Sequence, residues 1–233
     1  MNLKAHINRF SIIGLAGLCL MEIRGHAAED EGTVRLNHWL VSQTNITSWH
    51  ADFIQTRNLK ALTQPLTTRG SVWFVAPNRF RWELGQPPQS IALRTEGDLL
   101  VLAPKLKRAE RYSLTEFAKG PMKDLASLMD TGFPRDAVAF KKQFELLGAG
   151  ETNGVYQFRL APRQSAVRKL LPELSIGISA NDSQLRTTTL RFTDGSTLRN
   201  DFTNATVNIA IDPSLFAAAL GNDWKVTEPM KQP

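Results

Sequence analysis

Gly70-Ser-Val-Trp-Phe-Val-Ala-Pro-Asn-Arg-Phe-Arg-Trp-Glu-Leu84 is the stretch of sequence that decides the fold. Two runs rich in β-branched and aromatic residues flank Pro77-Asn78, a pair typical of turns, so the stretch predicts a β-hairpin. In the second run Phe80, Trp82 and Leu84 alternate with charged residues, which gives that strand one apolar and one polar face. An apolar face with this many aromatic residues covers either a packed core or a surface kept open for an apolar ligand.

The first 27 residues have the pattern of a secretory signal peptide. Lys4 and Arg9 form a basic start, residues 10–21 form an apolar run, and Gly25 and Ala27 are the small residues expected before cleavage after Ala27. The apolar run is too short to span a bilayer. We therefore expect an exported protein, and a Gram-negative periplasm fits best.

The only cysteine, Cys19, lies inside this leader. It follows Leu18, where attachment of lipid to a cysteine requires a small residue, so ordinary cleavage is favoured over a lipoprotein anchor. The exported chain then has no disulfide and depends on its own core for stability. We expect one domain over residues 28–226 and a flexible tail over residues 227–233.

Short strand-like runs separated by turn signals make up most of the remaining chain. Asn153-Gly154, Asn181-Asp182 and Asp194-Gly195 lie between such runs and are typical of β-hairpins. The runs do not alternate with long helices, so they predict an antiparallel meander rather than a parallel sheet. The predicted strands are residues 50–59, 67–75, 79–84, 89–95, 98–103, 107–113, 141–147, 154–160, 173–179, 184–193, 196–203 and 205–211.

Two segments have the spacing of amphipathic helices instead, residues 34–43 and residues 121–130, the latter ended by Gly132. The apolar residues that define them are Leu36 and Leu40 in the first, and Leu125, Leu128 and Met129 in the second. The predicted fold class is therefore mainly β with a few short helices, an α+β protein.

The exported chain contains few residues suited to catalysis. His38 and His50 are its only histidines, it has no cysteine, and it has no G-x-S-x-G motif to position a serine nucleophile. A zinc site built from cysteine or histidine cannot be assembled from this set. We predict no catalytic residue, no metal and no cofactor; a lipid or glycan hydrolase would need a Ser-His pair with a carboxylate and is the weaker alternative.

The formal net charge of +6 makes the chain mildly basic. Basic residues cluster in two places, at Lys105, Lys107, Arg108 and Arg111 and again at Arg163, Arg168 and Lys169. Solvated strand and loop faces explain these clusters best, and attraction to anionic headgroups or to an acidic partner is the alternative. The charge is too sparse to predict nucleic-acid binding.

Several motifs in the chain resemble one protein family. Ala51-Asp-Phe-Ile-Gln-Thr56, the hairpin from Gly70 to Leu84 and Gln86-Pro87 correspond to A-x-F-x-Q, G-x-x-W, P-N-x-F-x-W and Q-P. Near the C terminus, Phe202-Thr-Asn-Ala-Thr-Val-Asn208 and Ile211-Asp-Pro-Ser-Leu-Phe216 correspond to F-x-N-x-x-x-N and D-x-x-x-F. Together they resemble the periplasmic carriers of outer-membrane lipoproteins, the LolA-like proteins, over about residues 34–226.

The resemblance implies an incomplete antiparallel β-barrel, a curled sheet with short helices as a lid over an apolar cavity. It implies a carrier rather than an enzyme, with acyl chains as ligand. Strand alternation suggests the candidate cavity residues Phe53, Trp73, Val75, Phe80, Trp82, Leu84, Ile91 and Leu93. The candidate lid residues are Leu36, Leu40, Leu125, Leu128 and Met129.

The resemblance also implies partners: acylated lipoproteins as cargo, an inner-membrane ABC-type complex that releases them, and an outer-membrane acceptor. Phe80 corresponds to a rim aromatic that the family turns toward membrane partners, and a monomer is expected. One position departs from the family: carriers often have an arginine before Pro-Asn that bonds the lid shut, whereas this chain has Ala76. Carriage of another lipid or lipid-linked product, such as an aryl-polyene-type or glycolipid molecule, and a lipid-sensing interaction domain therefore stay open.

Overall fold

A computed structural model describes residues 30–117 and 134–229 of the chain. Their dominant feature is one sheet of twelve strands. The strands are β1 (Ser48–Asn58), β2 (Leu66–Val75), β3 (Arg79–Leu84), β4 (Ser90–Arg94), β5 (Asp98–Ala103), β6 (Arg108–Ser113), β7 (Phe144–Thr152), β8 (Val155–Pro162), β9 (Glu173–Ser179), β10 (Leu185–Arg191), β11 (Thr197–Val207) and β12 (Lys225–Thr227).

The spatial order of the strands is β12-β6-β5-β4-β3-β2-β1-β11-β10-β9-β8-β7. All neighbours are antiparallel except β12, which runs parallel to β6. The pairing of β1 with β11 joins two meanders into one curled sheet whose ends, β12 and β7, do not meet. The predicted fold, an unclosed antiparallel barrel with few helices, is confirmed.

Four short helices accompany the sheet among the described residues: α1 (Glu31–Gln43), α2 (Leu114–Phe117), α3 (Ala137–Gln143) and α4 (Ser165–Arg168). Single 3₁₀ turns occur at Pro104–Leu106 and Pro213–Phe216. The predicted helix at residues 34–43 is the greater part of α1. The predicted helix at residues 121–130 lies outside the described residues.

Three predicted strands differ from the observed elements. Residues 141–143 belong to α3 because the Asp136 side chain accepts hydrogen bonds from the Val138 and Ala139 backbone N–H groups and so starts a helix there. The two strands predicted at 196–203 and 205–211 are one strand, β11, which ends at Val207, so residues 208–211 are not part of a strand. Asn204 adopts a φ of 51°, and the register with β1 shifts beside it, so the chain passes through a bulge without leaving the sheet.

Alternation along the strands gives the sheet two faces, each with its own apolar cluster. We call the face against which α1 packs the helix face; its main cluster includes Trp39, Phe53 and Phe158. A second, smaller cluster lies on the opposite face, where Leu93 of β4 and Phe216 are both buried. The residues between 211 and 224 that cover this second cluster form what we call the C-terminal strap.

Candidate apolar binding face

The eight predicted cavity residues do not share one surface. Phe53, Phe80, Trp82 and Leu84 belong to the helix face, where they lie in or against the main cluster. Trp73, Val75, Ile91 and Leu93 belong to the second cluster beneath the strap. The register explains the division, because Trp82 pairs with Val72 and Phe80 pairs with Phe74, which leaves the residues between them on the opposite face.

An aromatic group on the helix face links β1, β3 and β11. The ring centroid of Phe53 lies 4.4 Å from that of Trp82 and 6.0 Å from that of Phe202. Gly70 makes this contact possible, because a Cβ atom there would overlap the Phe53 ring and the Glu83 carbonyl oxygen. The glycine of the G-x-x-W motif therefore has a packing role rather than a role in the hairpin turn.

Next to this group the helix face becomes only partly covered. Phe53 is 2% exposed, whereas Phe80, Trp82 and Leu84 are all half-buried. Strand β4 presents small side chains to them, since Ser90 pairs with Leu84 and Ala92 pairs with Trp82. We call Phe80, Trp82, Leu84, Ala92 and Val101 the apolar strip. Because β4 contributes so little volume, the strip is a shallow apolar surface continuous with the core.

Only two of the predicted lid residues, Leu36 and Leu40, lie among the described residues. Leu36 and Leu40 are buried in the main cluster together with Trp39, whose ring lies 6.4 Å from that of Phe158. They pack α1 onto the β7–β9 end of the sheet. Leu125, Leu128 and Met129 lie outside the described residues, so their part in a lid stays a prediction.

Arg135 holds the end of α1. Its guanidinium Nη1 donates to the carbonyl oxygens of Gln43 and Ile46 at 2.8 and 2.5 Å, and its Nη2 donates to that of Thr44 at 2.9 Å. The carbonyls of Gln43 and Thr44 have no partner within the helix because α1 ends there, and that of Gln43 also accepts the Ile46 N–H at 3.2 Å. Ala76, the position at which the family often has arginine, instead donates its backbone N–H to the Thr47 carbonyl at 2.9 Å.

The two asparagines of the F-x-N-x-x-x-N motif also hold the backbone and neighbouring side chains in place. The Asn208 Oδ1 accepts hydrogen bonds from the Thr47 N–H at 2.8 Å and the Thr47 hydroxyl at 3.1 Å. The Asn204 amide donates to the Asp52 Oδ2 at 3.0 Å, and this bond is the main reason that the pKa of Asp52 lies below its ordinary value. The motif was therefore a signal for structure rather than for a binding residue.

Ser71, Asp52 and His50 lie close together on the opposite face, but their order is not that of a catalytic triad. The Ser71 hydroxyl donates directly to the Asp52 Oδ1 at 2.8 Å, whereas in a triad the histidine lies between serine and carboxylate. His50 stacks on Trp73 with the ring centroids 5.1 Å apart. This group can orient β1 against β2, and it lacks the geometry to activate the serine.

Polar residues border the apolar strip toward β6. Arg94 pairs with Phe80 on one side and with Leu99 on the other, and Leu99 pairs with Tyr112. The Tyr112 hydroxyl donates to the Glu110 Oε2 at 2.6 Å. This hydrogen bond raises the pKa of Tyr112 to about 12. Sequence reasoning missed Arg94, although its position in Ser90-Ile-Ala-Leu-Arg94 places it in alternation with Ser90 and Ala92.

Other kinds of site receive no support from the described part of the chain. Within residues 30–117 and 134–229, no cluster of three or more histidine, cysteine or acidic side chains could hold a metal ion. No helix among those residues has the length and apolar character needed to cross a bilayer. A cleft of about 240 Å³ at the end of α1, lined in part by Gln43, Asn45 and Asp182, lies away from the apolar strip.

Comparisons with known proteins agree with this geometry. A family profile described as outer membrane lipoprotein carrier protein LolA matches residues 44–219. An uncharacterised conserved protein from Thermus thermophilus has a similar structure, with a TM-score of 0.51 and 10% identity, over 84% of this chain and 99% of that one. No curated protein matches the sequence.

Two further structures are more distant. A LolA superfamily protein from Nitrosomonas europaea matches with a TM-score of 0.40 and 10% identity, over 77% of this chain and 96% of that one. The MucA/MucB complex of Pseudomonas aeruginosa matches with a TM-score of 0.43 and 13% identity, over 79% of this chain and 61% of that one. Proteins of the LolA-like family are carriers or binding proteins for lipoproteins and lipids, and they are periplasmic or secreted. Since the profile covers most of the chain, this protein belongs to the LolA family of outer-membrane lipoprotein carriers.

Proposed function

We propose that this protein carries the acyl chains of lipoproteins through the periplasm, from the inner to the outer membrane. The observation that carries the proposal is the apolar strip: three large side chains, Phe80, Trp82 and Leu84, stay half-buried beside a fully packed core. Family membership supports the same role, since the family binds lipoproteins and lipids. The ligand surface is the helix face of β3–β5.

Burial of hydrocarbon supplies the driving force. Each methylene removed from water contributes about 0.8 kcal/mol, so a chain of about sixteen carbons gains on the order of 10 kcal/mol. A protein with such an anchor cannot leave a membrane unless another apolar surface receives it. Passage along the route then needs only a donor that loads the carrier and an acceptor that binds the chain more tightly. No bond forms or breaks in this cycle.

The partners follow from the proposed route. An inner-membrane ABC-type complex would load the carrier and an outer-membrane acceptor would unload it, with the carrier acting as a monomer. Phe80 is suited to such contacts because it pairs with Phe74 close to the tip of the β2–β3 hairpin and is half-buried. Cleavage of residues 1–27 would deliver the chain to the periplasm.

The proposal can be tested by a substitution that fills the space at the apolar strip. In Ala92→Leu a larger side chain would occupy the space beside Trp82, so we expect at least a severalfold loss of co-purified acylated peptide. The measurement is native mass spectrometry of protein purified from a Gram-negative periplasm. Thr67→Leu is the matched control, because Thr67 is exposed on the opposite face of β2. A wild-type protein that never carries acylated molecules, or equal loading of both variants, would contradict the proposal.

A second cargo class is favoured by one observation. Ala76 stands where lipoprotein carriers of the family often have an arginine, so this chain shares the fold without sharing that contact. The alternative is another lipid or lipid-linked product on the same strip, such as an aryl-polyene-type or glycolipid molecule. The same spectra separate the two, since an acylated peptide and a free lipid differ in mass and in fragmentation.

A further inference from the structure

We infer that the second cargo class is a lipid with an anionic group next to its acyl chain, and that Arg94 receives this group at the border of the apolar strip. The inference rests on the second cargo class of the proposed function, a lipid in place of a lipoprotein, and it specifies the head group of that lipid. It assigns to the cargo a defined orientation. The hydrocarbon lies along β3, and the charged head lies toward β5 and β6.

The distribution of charge over the sheet is the first step. Strands β2, β3, β4 and β5 point alternate residues toward the two faces, and their charged residues lie almost entirely on the opposite face. On the helix face these four strands place one charged residue, Arg94. The charged residues of the opposite face are Arg69, Arg79, Arg81, Glu83 and Asp98.

The position of Arg94 is the second step. It is half-buried, and its Nε atom is out of contact with solvent. Its cross-strand neighbours are Phe80, a member of the strip, and Leu99, which is 4% exposed. A guanidinium beside such side chains has lost part of its hydration, and an anion in hydrogen-bond range then interacts with it more strongly than in water.

The other half-buried arginines of this hairpin region, Arg79 and Arg81, lie on the opposite face of the sheet. Arg81 is paired with Glu83 at 2.6 Å and donates to the Leu215 carbonyl at 3.0 Å. Arg79 lies over the Phe216 ring, with its Cζ 5.4 Å from the centroid. Both therefore hold the C-terminal strap. Arg94 has interactions of its own within the protein, and the head group of the cargo would join or replace them.

The planar guanidinium is suited to oxyanions, because its N–H groups match the spacing of the oxygens in a carboxylate or a phosphate. Glu110 would repel an anion, but its carboxylate accepts the Tyr112 hydroxyl and it is exposed at β6. A neutral glyceride would not offer Arg94 a charged partner. The inferred class is therefore a single-chain or multi-chain lipid with a carboxylate or phosphate head.

The experiment compares three C16 ligands on the delipidated chain, below their micelle concentrations: palmitate, palmitoyl lysophosphatidic acid and monopalmitoylglycerol. Isothermal titration calorimetry measures each Kd. We expect one or both anionic ligands to bind about tenfold more tightly than the neutral one, which corresponds to about 1.4 kcal/mol. Preference for both indicates that charge suffices, and preference for one identifies the head group as carboxylate or phosphate.

Substitutions of Arg94 test whether this residue causes the preference for anionic ligands. Arg94→Gln should abolish the preference while the Kd of monopalmitoylglycerol changes by less than about twofold, and Arg94→Lys should keep part of it. Arg79→Gln, a change to a half-buried arginine on the opposite face of β3, should leave it unchanged. If Arg94→Gln does not fold, the Kd values of the wild type and of Arg94→Lys for the three ligands still test the inference. Equal affinity of the wild type for all three ligands, or a preference that survives in Arg94→Gln, overturns the inference alone. If no ligand binds, the lipid alternative is overturned as well, whereas carriage of lipoproteins is decided by the mass spectra of the purified protein.

Discussion

Gly70 shows how one residue determines the local geometry of the helix face. Its absent side chain lets the Phe53 ring cross β2 and contact Trp82 at 4.4 Å between centroids. The position needs no unusual backbone angle, so the requirement is for space and not for conformational freedom. A sequence shows that a glycine is present but does not show which neighbour occupies the space where its Cβ would be.

Gly70→Ala should therefore destabilise the protein. The new Cβ would overlap the Glu83 carbonyl oxygen as well as the ring, and a backbone atom cannot move aside as a flexible side chain can. We expect the free energy of unfolding to fall by about 1–3 kcal/mol, measured by urea denaturation. Gly97→Ala is the control, since a Cβ at Gly97 meets no atom within 4 Å. Equal stability of the two variants would refute the packing role of Gly70.

At the scale of elements, α1 is held at both its apolar face and its end. Leu36, Trp39 and Leu40 bury the helix against the sheet, and Arg135 satisfies three carbonyls where the helix stops. Arg135 lies just after the segment 118–133, so the clamp ties the chain that follows this segment to the start of β1. Asn208 supports the same loop from the end of β11 through Thr47.

Arg135→Met should loosen this region without unfolding the sheet. Methionine keeps much of the aliphatic length but removes the donor of the Thr44 and Ile46 carbonyls and leaves the Gln43 carbonyl with the Ile46 N–H alone. We expect a loss of about 1–3 kcal/mol in unfolding free energy and faster amide hydrogen exchange in residues 40–47. Arg159→Met is the control, because Arg159 pairs with Glu173 at 2.7 Å on the exposed surface of β8 and β9. Unchanged exchange in that loop would show that the clamp is not needed.

The sequence predicted the elements better than their relative placement. Alternation correctly put Phe80, Trp82 and Leu84 on one face, because period two is a property of a single strand. Alternation within a strand could not show whether Trp73 and Phe80 lie on the same face. That depends on the register of β2 against β3, and a shift of one residue in the register exchanges the two faces. For the same reason Ile91 and Leu93 were assigned to the cavity, whereas their small neighbours Ser90 and Ala92 face the strip.

At the scale of the whole molecule, the two faces of the sheet differ in how completely they are covered. The opposite face is closed by the C-terminal strap, which buries Phe216 to 7% exposure and is fixed by Arg81 and by the pairing of β12 with β6. The helix face is packed under α1 and only partly covered along the apolar strip. Thr227, the first residue of the predicted tail, lies in β12 and so belongs to this closure.

This division predicts different effects of one large-to-small substitution on each face. Phe216→Ala would leave a cavity under the strap, and we expect a loss of about 2–4 kcal/mol in unfolding free energy with the Kd for a C16 ligand changed by less than about twofold. Trp82→Ala removes the largest side chain of the strip, so it should weaken the same ligand by about tenfold or more, beyond any loss of stability. Urea denaturation and calorimetry, performed on both variants where each is fully folded, measure the two quantities. If Phe216→Ala weakened the ligand as much as Trp82→Ala, the strap would be part of the binding surface and the helix face would not be the only site of the acyl chain.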